Sequence, residues 1–270
     1  MRCRVKNLIG LILLAAPASA GDFYVDVATG NDAFPGTEAL PFRTITRALA
    51  VAGHGPDVIH VAPGVYSTAS GESFPLVLKN RVRIEGEHRQ STILTGPASA
   101  LIEIDGDGFP SYSTATGASR LTLLTATAGI RLDTGFDEYS GAEIDCSFRE
   151  IDIRDCTRGI DAGNYTVTFF ATSEILLDRV QVRDCTEFGF NLNATGFFNL
   201  QLDVRDCVFE NTGSHGMAIS CNGECAGQLR IERSQFLGND VGASLFTRLD
   251  HVEDSLFAGN ASGGLRIGHH

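Results

Sequence analysis

Three stretches decide how this chain is read: Ile151-Asp152-Ile153-Arg154-Asp155-Cys156, Val180-Gln181-Val182-Arg183-Asp184-Cys185 and Leu202-Asp203-Val204-Arg205-Asp206-Cys207. In each, apolar residues alternate with polar ones, the period-two signature of a strand with one dry and one wet face. The series continues as Leu229 and Ile231 before Ser234, then Val252 before Ser255, with anchors 29, 22, 27 and 21 residues apart. After the anchors come turns rich in glycine and asparagine and second apolar runs such as Gly159-Ile160, Gly189-Phe190-Asn191-Leu192, Gly216-Met217-Ala218-Ile219 and Gly264-Leu265-Arg266-Ile267. A unit of 21 to 29 residues made only of short strands cannot bury its apolar side alone, so it must stack on its neighbours. The expected fold is therefore an all-β solenoid. Phe209 with Asn211, Phe236 with Asn239 and Phe257 with Asn260 predict apolar stacks inside the coil and asparagine at tight turns.

Working outward, the segment before the repeats carries the one expected helix. Thr44 can cap it, and Ile45, Ala48, Leu49 and Ala52 keep helical spacing before Gly53, so an amphipathic helix is expected to cover the first coil. Further upstream, Arg2, Arg4 and Lys6 precede the apolar run Leu8 to Ala16 and then Ala18-Ser19-Ala20, the pattern of a signal peptide over 1–20. The expected mature chain is exported, extracellular or periplasmic, with no membrane partner, since its apolar runs fall short of the roughly 20 residues a span requires. The whole chain carries 21 basic and 33 acidic residues; without the first twenty residues the balance is 18 to 33, a net charge of −15 that disfavours nucleic acid.

Phe23-Tyr24-Val25-Asp26, Gly30-Asn31-Asp32, Pro35-Gly36-Thr37, Pro41-Phe42-Arg43-Thr44-Ile45 and Asp57-Val58-Ile59-His60-Val61-Ala62-Pro63-Gly64-Val65-Tyr66 resemble the N-terminal cap of pectin-lyase-like β-helix proteins. The resemblance is specific over residues 23 to 96; beyond it the repeats are similar to the generic repeat of that superfamily. It implies a right-handed parallel β-helix, with a cap and first coils over 21–96 and repeats over 97–270. It also implies an association with polysaccharide, uronate-containing polymers included, but not catalysis by itself.

Alternation points Arg154, Arg183 and Arg205 outward as a ladder of one residue per coil, beside a parallel row that includes Asp152 and Asp203. The row can neutralise the ladder in surface pairs, or the planar guanidiniums can hold uronate carboxylates with paired hydrogen bonds. Asp155, Asp184 and Asp206 would stack where the strand turns, either as turn formers or as calcium ligands. Calcium-dependent lyases of the resembled superfamily join such aspartates to a lysine or arginine base. Lys79 is the one lysine after residue 20 and lies in the cap region, which leaves Arg183 as the nominee for a catalytic base. Gly213-Ser214-His215-Gly216 with Arg230-Ile231-Glu232 is faintly similar to polygalacturonase motifs, but Asn191-Leu192-Asn193 stands where the acid and base aspartates would be needed.

Cys156, Cys185 and Cys207 are expected to stack as small apolar thiols. Cys221 and Cys225 flank a short loop and are candidates for a disulfide. Leu265-Arg266-Ile267 ends on a strand with no capping element behind it, which predicts end-to-end self-association if no further coil follows. The functional expectation is polysaccharide binding along an outward strand face, with a calcium-dependent lyase or a structural envelope protein as alternatives.

Overall fold

Residues Ile153, Val182, Val204 and Ile231 are fully buried, as the alternation requires, and they line a core enclosed by parallel strands. The computed structural model describes residues 21–53, 55–105, 115–133, 145–222, 225–245 and 251–268. Each full coil lays down three strands. The first face runs through Val58–Val61, Arg83–Gly86, Gly117–Ser119 and Cys146–Arg149, then through positions 175–178, 202–205 and 229–232. The second face is an 8-stranded sheet from Gly64–Tyr66 to Leu256–Ala258. The third face includes Ala100–Asp105, Ala128–Asp133, His215–Asn222 and Gly263–Ile267. It shares a 15-stranded sheet with the first face, because Arg158–Asp178 and Phe188–Arg205 run unbroken from one to the other.

Helix α1 (Ile45–Val51) closes the first coil, burying Ile45, Ala48 and Leu49 against strands Asp22–Val25, Val58–Val61 and Leu76–Leu78. Both of its ends are capped by residues outside the helix. Thr44 Oγ1 accepts from the Arg47 N–H at 3.0 Å, and Glu72 accepts from the Ile45 and Thr46 N–H groups at 2.8 and 2.9 Å. At the other end Lys79 Nζ donates to the Ala52 carbonyl at 2.6 Å, so this cation is a helix cap and stands apart from the strand faces.

The corners correct the expected alignment. Arg154 lies beside Arg183 on the second face, but the next residue in that row is Glu210. Arg205 belongs to the first face, between Asp178 and Glu232. Arg154-Asp155-Cys156 and Arg183-Asp184-Cys185 turn the second corner, whereas Arg205-Asp206-Cys207 turns the first. The anchor spacing of 22 was thus a slip by one strand; contacts between equivalent residues of successive coils span 29, 27 and 21 positions. The same slip separates the cysteines: Cys156 and Cys185 share a corner, while Cys207 sits above Val180 and donates its N–H to Ser234 Oγ at 3.2 Å.

Both corners impose the same local demand, a residue with positive φ followed by one pointing inward. The first corner fills the positive-φ position with Arg120, Glu150, Arg179, Asp206, Arg233 and Asp254, and the second with Thr125, Asp155, Asp184, Asn211, Gly238 and Gly259. For residues other than glycine this conformation costs roughly 1–2 kcal/mol. In most coils it is offset because the N–H of such a residue donates to a carbonyl of the next coil, as Arg179 does to Arg205 at 2.9 Å and Asp184 to Glu210 at 3.1 Å.

Inside the second corner a polar row replaces the cysteines in the later coils. Asn239 Oδ1 accepts from the Thr212 N–H at 2.9 Å and Asn260 Oδ1 from the Asn239 N–H at 3.0 Å, while Asn239 Nδ2 donates to the Phe209 carbonyl at 3.0 Å. Asn211, expected to match these two, holds instead the positive-φ position before them. The aromatic column forms as expected, with Phe209 and Phe236 centroids 5.1 Å apart and Phe236 and Phe257 4.7 Å apart.

The third face begins at a column of glycines whose cause is contact. A Cβ on Gly189 would lie 2.4 Å from the Gly216 carbonyl oxygen and 2.8 Å from the Phe209 ring, and one on Gly216 would lie 2.5 Å from the Gly242 oxygen. Gly189→Ala must therefore push two coils apart. We expect it to destabilise the fold by about 1–3 kcal/mol, read as a lowered thermal midpoint. Gly53→Ala, whose Cβ would meet nothing closer than 3.7 Å, is expected to leave the midpoint unchanged.

Candidate functional site

Most outward positions of the first face carry large or charged side chains, but one stretch carries very small ones. Gly117, Ser119 and Ser147 supply the small ones, and Gly117 has no room for a Cβ, which would lie 1.9 Å from the Ser147 oxygen. This leaves a floor below the general level of the sheet. Around it stand Arg83, Arg120, Arg149 and Arg179 with Glu85 and Glu150, enclosing a hollow of about 240 Å³. Four guanidiniums against two carboxylates make this a basic spot on a chain of net charge −12.

Its arginines are positioned by their own neighbours. Arg120 Nε donates to the Gly86 carbonyl at 2.7 Å and its Nη2 to Glu85 at 3.1 Å; Arg83 reaches the other Glu85 oxygen at 3.3 Å. Arg179 bonds Glu150 at 2.8 Å. Arg149 is exposed and has no ion-pair partner among the described residues.

Two further hollows lie along the same face as this trough. Toward α1, Arg120 and Glu85 also border a hollow of about 480 Å³ that contains Tyr24, Asp26 and His60. The Tyr24 and His60 rings stack there with centroids 4.9 Å apart, and His60 Nε2 lies 3.0 Å from Asp22. Toward the last coil a hollow of about 410 Å³ is lined by Asp203, Gln228, Arg230, Glu232 and His251. The Glu232, His251 and Glu253 ligand atoms lie within 4.8 Å of one another, but Glu232 already faces Arg230 at 3.7 Å and Arg233 at 3.4 Å.

The residues singled out from sequence distribute over three places. Asp152, Arg154 and Arg183 lie on the second face, where Arg154 pairs with Asp152 at 3.2 Å and Arg183 bonds Gln181 and lies 3.9 Å from Glu210. The nominated base, Arg183, is therefore part of a paired surface row and does not border the trough. Asp203 and Arg205 lie on the first face, bonded to each other at 2.5 Å. Asp155 and Asp184 occupy the second corner, where Asp184 accepts from Asn211 at 3.3 Å. Asp206 occupies the first, and both its oxygens are held by Arg233 at 2.8 Å, a pairing that keeps its carboxyl below the usual range. Asp206 does not join the other two, so the expected row of three calcium ligands does not assemble. The side chains of Cys221 and Cys225 lie outside the described residues.

His215 stacks on Phe188 at 5.7 Å, and its Nδ1 lies 2.8 Å from Ser214 Oγ. Burial, and then Arg266, hold its pKa below the ordinary histidine value. The arginines of the trough were missed in the sequence. The signal for two of them is the order Arg120, Glu150, Arg179, Asp206, Arg233, Asp254, a strict alternation of charge immediately before an inward-pointing residue in each coil.

The thiols are chemically quiet. Burial pushes the pKa of Cys185 and of Cys207 up to about 12, and Cys146 and Cys156 are raised by the same cause. Because the thiolate is the nucleophile, we expect Cys156, Cys185 and Cys207 to resist iodoacetamide at pH 8 in the folded protein and to react once denatured. Peptide mass spectrometry of the two samples checks this; labelling in the folded sample would contradict the buried placement.

The profile described as a right handed beta helix region matches residues 127–264, half of the chain, and one described as a protein of unknown function (DUF1565) matches residues 28–121. No curated protein matches significantly. Among solved structures, a rhamnogalacturonan lyase aligns at 12% identity and a TM-score of 0.45, over 84% of this chain and 70% of that one. A pectin methylesterase mutant in complex with a hexasaccharide aligns at 14% identity and 0.36, over 82% and 67%. A mutant PL6-family alginate lyase aligns at 14% identity and 0.33, over 93% of this chain and 40% of that one.

Proposed function

The chain belongs to the right-handed β-helix family, and on that basis we propose that its first face is the binding surface of an exported protein that holds an acidic polysaccharide along the solenoid axis. The observation that carries this reading is the basic trough, with Arg83, Arg120, Arg149 and Arg179 around a floor of glycine and serine. Such a floor admits a polymer chain, and the guanidiniums present planar forks to its carboxylates, each able to form two parallel hydrogen bonds. Glu85 and Glu150 hold Arg120 and Arg179 in place from one side, so less side-chain entropy is lost on binding. The Tyr24 and His60 rings extend the trough with an aromatic surface suited to the apolar face of a sugar ring. Export follows from the expected signal peptide over residues 1–20.

On the second face Arg154 and Arg183 are both engaged by neighbouring side chains, and among the described residues neither matches the unpaired Arg149 of the trough. This contrast supplies the test. In affinity electrophoresis through polygalacturonate or alginate, Arg120→Ala with Arg149→Ala is expected to weaken retention about tenfold, the loss of one to two charge-assisted hydrogen bonds. Arg154→Ala with Arg183→Ala is expected to retain binding, dextran to give no retardation, and added salt to weaken the wild-type interaction. Equal retention of the wild type and the trough variant would remove the first face as the binding surface.

A further inference from the structure

The hollow that holds Tyr24 and His60 has the opposite charge to the basic trough beside it. One outward column of the first face runs from Tyr24 through His60, Glu85 and Ser119 to Arg149, so the two hollows follow one another along the solenoid axis. They share Glu85 and Arg120 as their border. On one side of it four guanidiniums stand against two carboxylates; on the other, the carboxylates of Asp26, Glu38, Glu85 and Glu87 stand against the single guanidinium of Arg120. Asp26 accepts from the Ala28 N–H at 2.8 Å, and Glu85 is held by Arg83 and Arg120. Glu38 has no partner among the described residues, and Glu87 reaches only the exposed His88, at 3.6 Å. These two carboxylates are therefore open acceptors. They are not part of a cation site, since Glu232, His251 and Glu253 form the one converging group of metal-ligating side chains among the described residues.

This hollow also has a wall across the axis. Strand Asp22–Val25 is the outermost of its sheet, and residues 36–42 fold against its free edge. Tyr24 N–H donates to the Gly36 carbonyl at 2.9 Å, and Phe42 N–H to the Tyr24 carbonyl at 2.8 Å. A tight turn, closed by the Leu40 N–H on the Thr37 carbonyl at 3.1 Å, carries Glu38 and Ala39 at its tip. That tip lines the hollow together with the outward side chains of the first strands, so it stands above the face. Its base is fixed: Phe42 is buried, and Gly36, at φ +77°, lies so close to the Phe42 ring that a Cβ there would be 2.1 Å away. A polymer lying in the trough and running toward helix α1 meets this turn and goes no further along the axis.

We propose that the hollow is an end subsite, taking one terminal uncharged sugar residue of an otherwise acidic chain whose next residues lie in the trough. This rests on the trough reading and deepens it. The cavity of about 480 Å³ has room for a single sugar ring, and the Tyr24 ring, stacked on His60, offers that ring an apolar surface. Glu38 and Glu87 accept hydrogen bonds from its hydroxyls, which a uronate could match only by setting its own carboxylate against theirs. Specificity thus comes from repulsion of the wrong residue as much as from attraction of the right one. Arg120 marks the step between the two kinds of subsite, because its guanidinium borders both hollows.

The probes are synthetic hexasaccharides titrated calorimetrically into the full chain: one all galacturonate, and others with a single galactose at the reducing end, the non-reducing end or an internal position. One of the two galactose-ended chains is expected to bind about tenfold more tightly than the all-uronate chain, the worth of one or two hydrogen bonds. The internal galactose is expected to bring no such gain. Glu38→Lys, at an exposed turn, is expected to erase the preference by giving a terminal uronate a cation, and Tyr24→Ala to reduce it. Equal affinity for all the chains, or a preference that survives Glu38→Lys, would overturn the end subsite, while retention on long polygalacturonate would leave the trough standing. An equal gain from the internal galactose would overturn the terminal placement, and tighter binding of a galactosamine-ended chain would overturn the assignment to an uncharged sugar. If neither the hexasaccharides nor long polygalacturonate bind, the trough reading fails and the end subsite with it.

Discussion

Parallel stacking in register is the constraint on which the molecule depends. A side chain at one position of one coil sits about 4.8 Å from its counterparts above and below, so no residue is chosen alone. Glycine recurs at the start of the third face because each one touches the carbonyl of the next. Phenylalanine recurs at the middle of the second face because each ring is the floor for another. Like charges cannot recur at a corner without repulsion, and the first corner alternates arginine with acid over six coils.

That rule also accounts for the trough. Where neighbouring outward positions are small, as at Gly117, Ser119 and Ser147, the surface sinks below the side chains around it. Where corner arginines flank such a stretch, the sunken strip becomes basic although the chain as a whole is acidic. Function, in the reading advanced here, comes from the same columns that stabilise the fold; only the outward member of each alternating pair differs.

Much of this was legible in the sequence. Alternation located the strands and the buried residues, the N-terminal motifs located helix α1 and its Thr44 cap, and the aromatic column could be read from Phe209, Phe236 and Phe257. The alignment of Arg205-Asp206-Cys207 with the two earlier triplets was not legible, because both corners accept the same solution: an outward polar residue, one that tolerates positive φ, and a small inward one. Coil length held the corrective signal, since a step of 22 residues departs from the 29 before it and the 27 after it, while Phe209 to Phe236 takes 27. The trough arginines were obscured for a related reason. Arg120 and Arg179 occupy a backbone conformation in which glycine, asparagine or aspartate is the usual guess.

The unequal coil lengths have a consequence for how such a chain can change. The step from Ser234 to Ser255 takes 21 residues and the step from Glu150 to Arg179 takes 29, yet the three faces and two corners keep the same pairing in both. The difference is absorbed in the connection from third face to first. Inserting or deleting residues at that seam alters one rim of the first face without shifting any column. Variation can therefore accumulate beside the trough while the architecture beneath it is inherited unchanged.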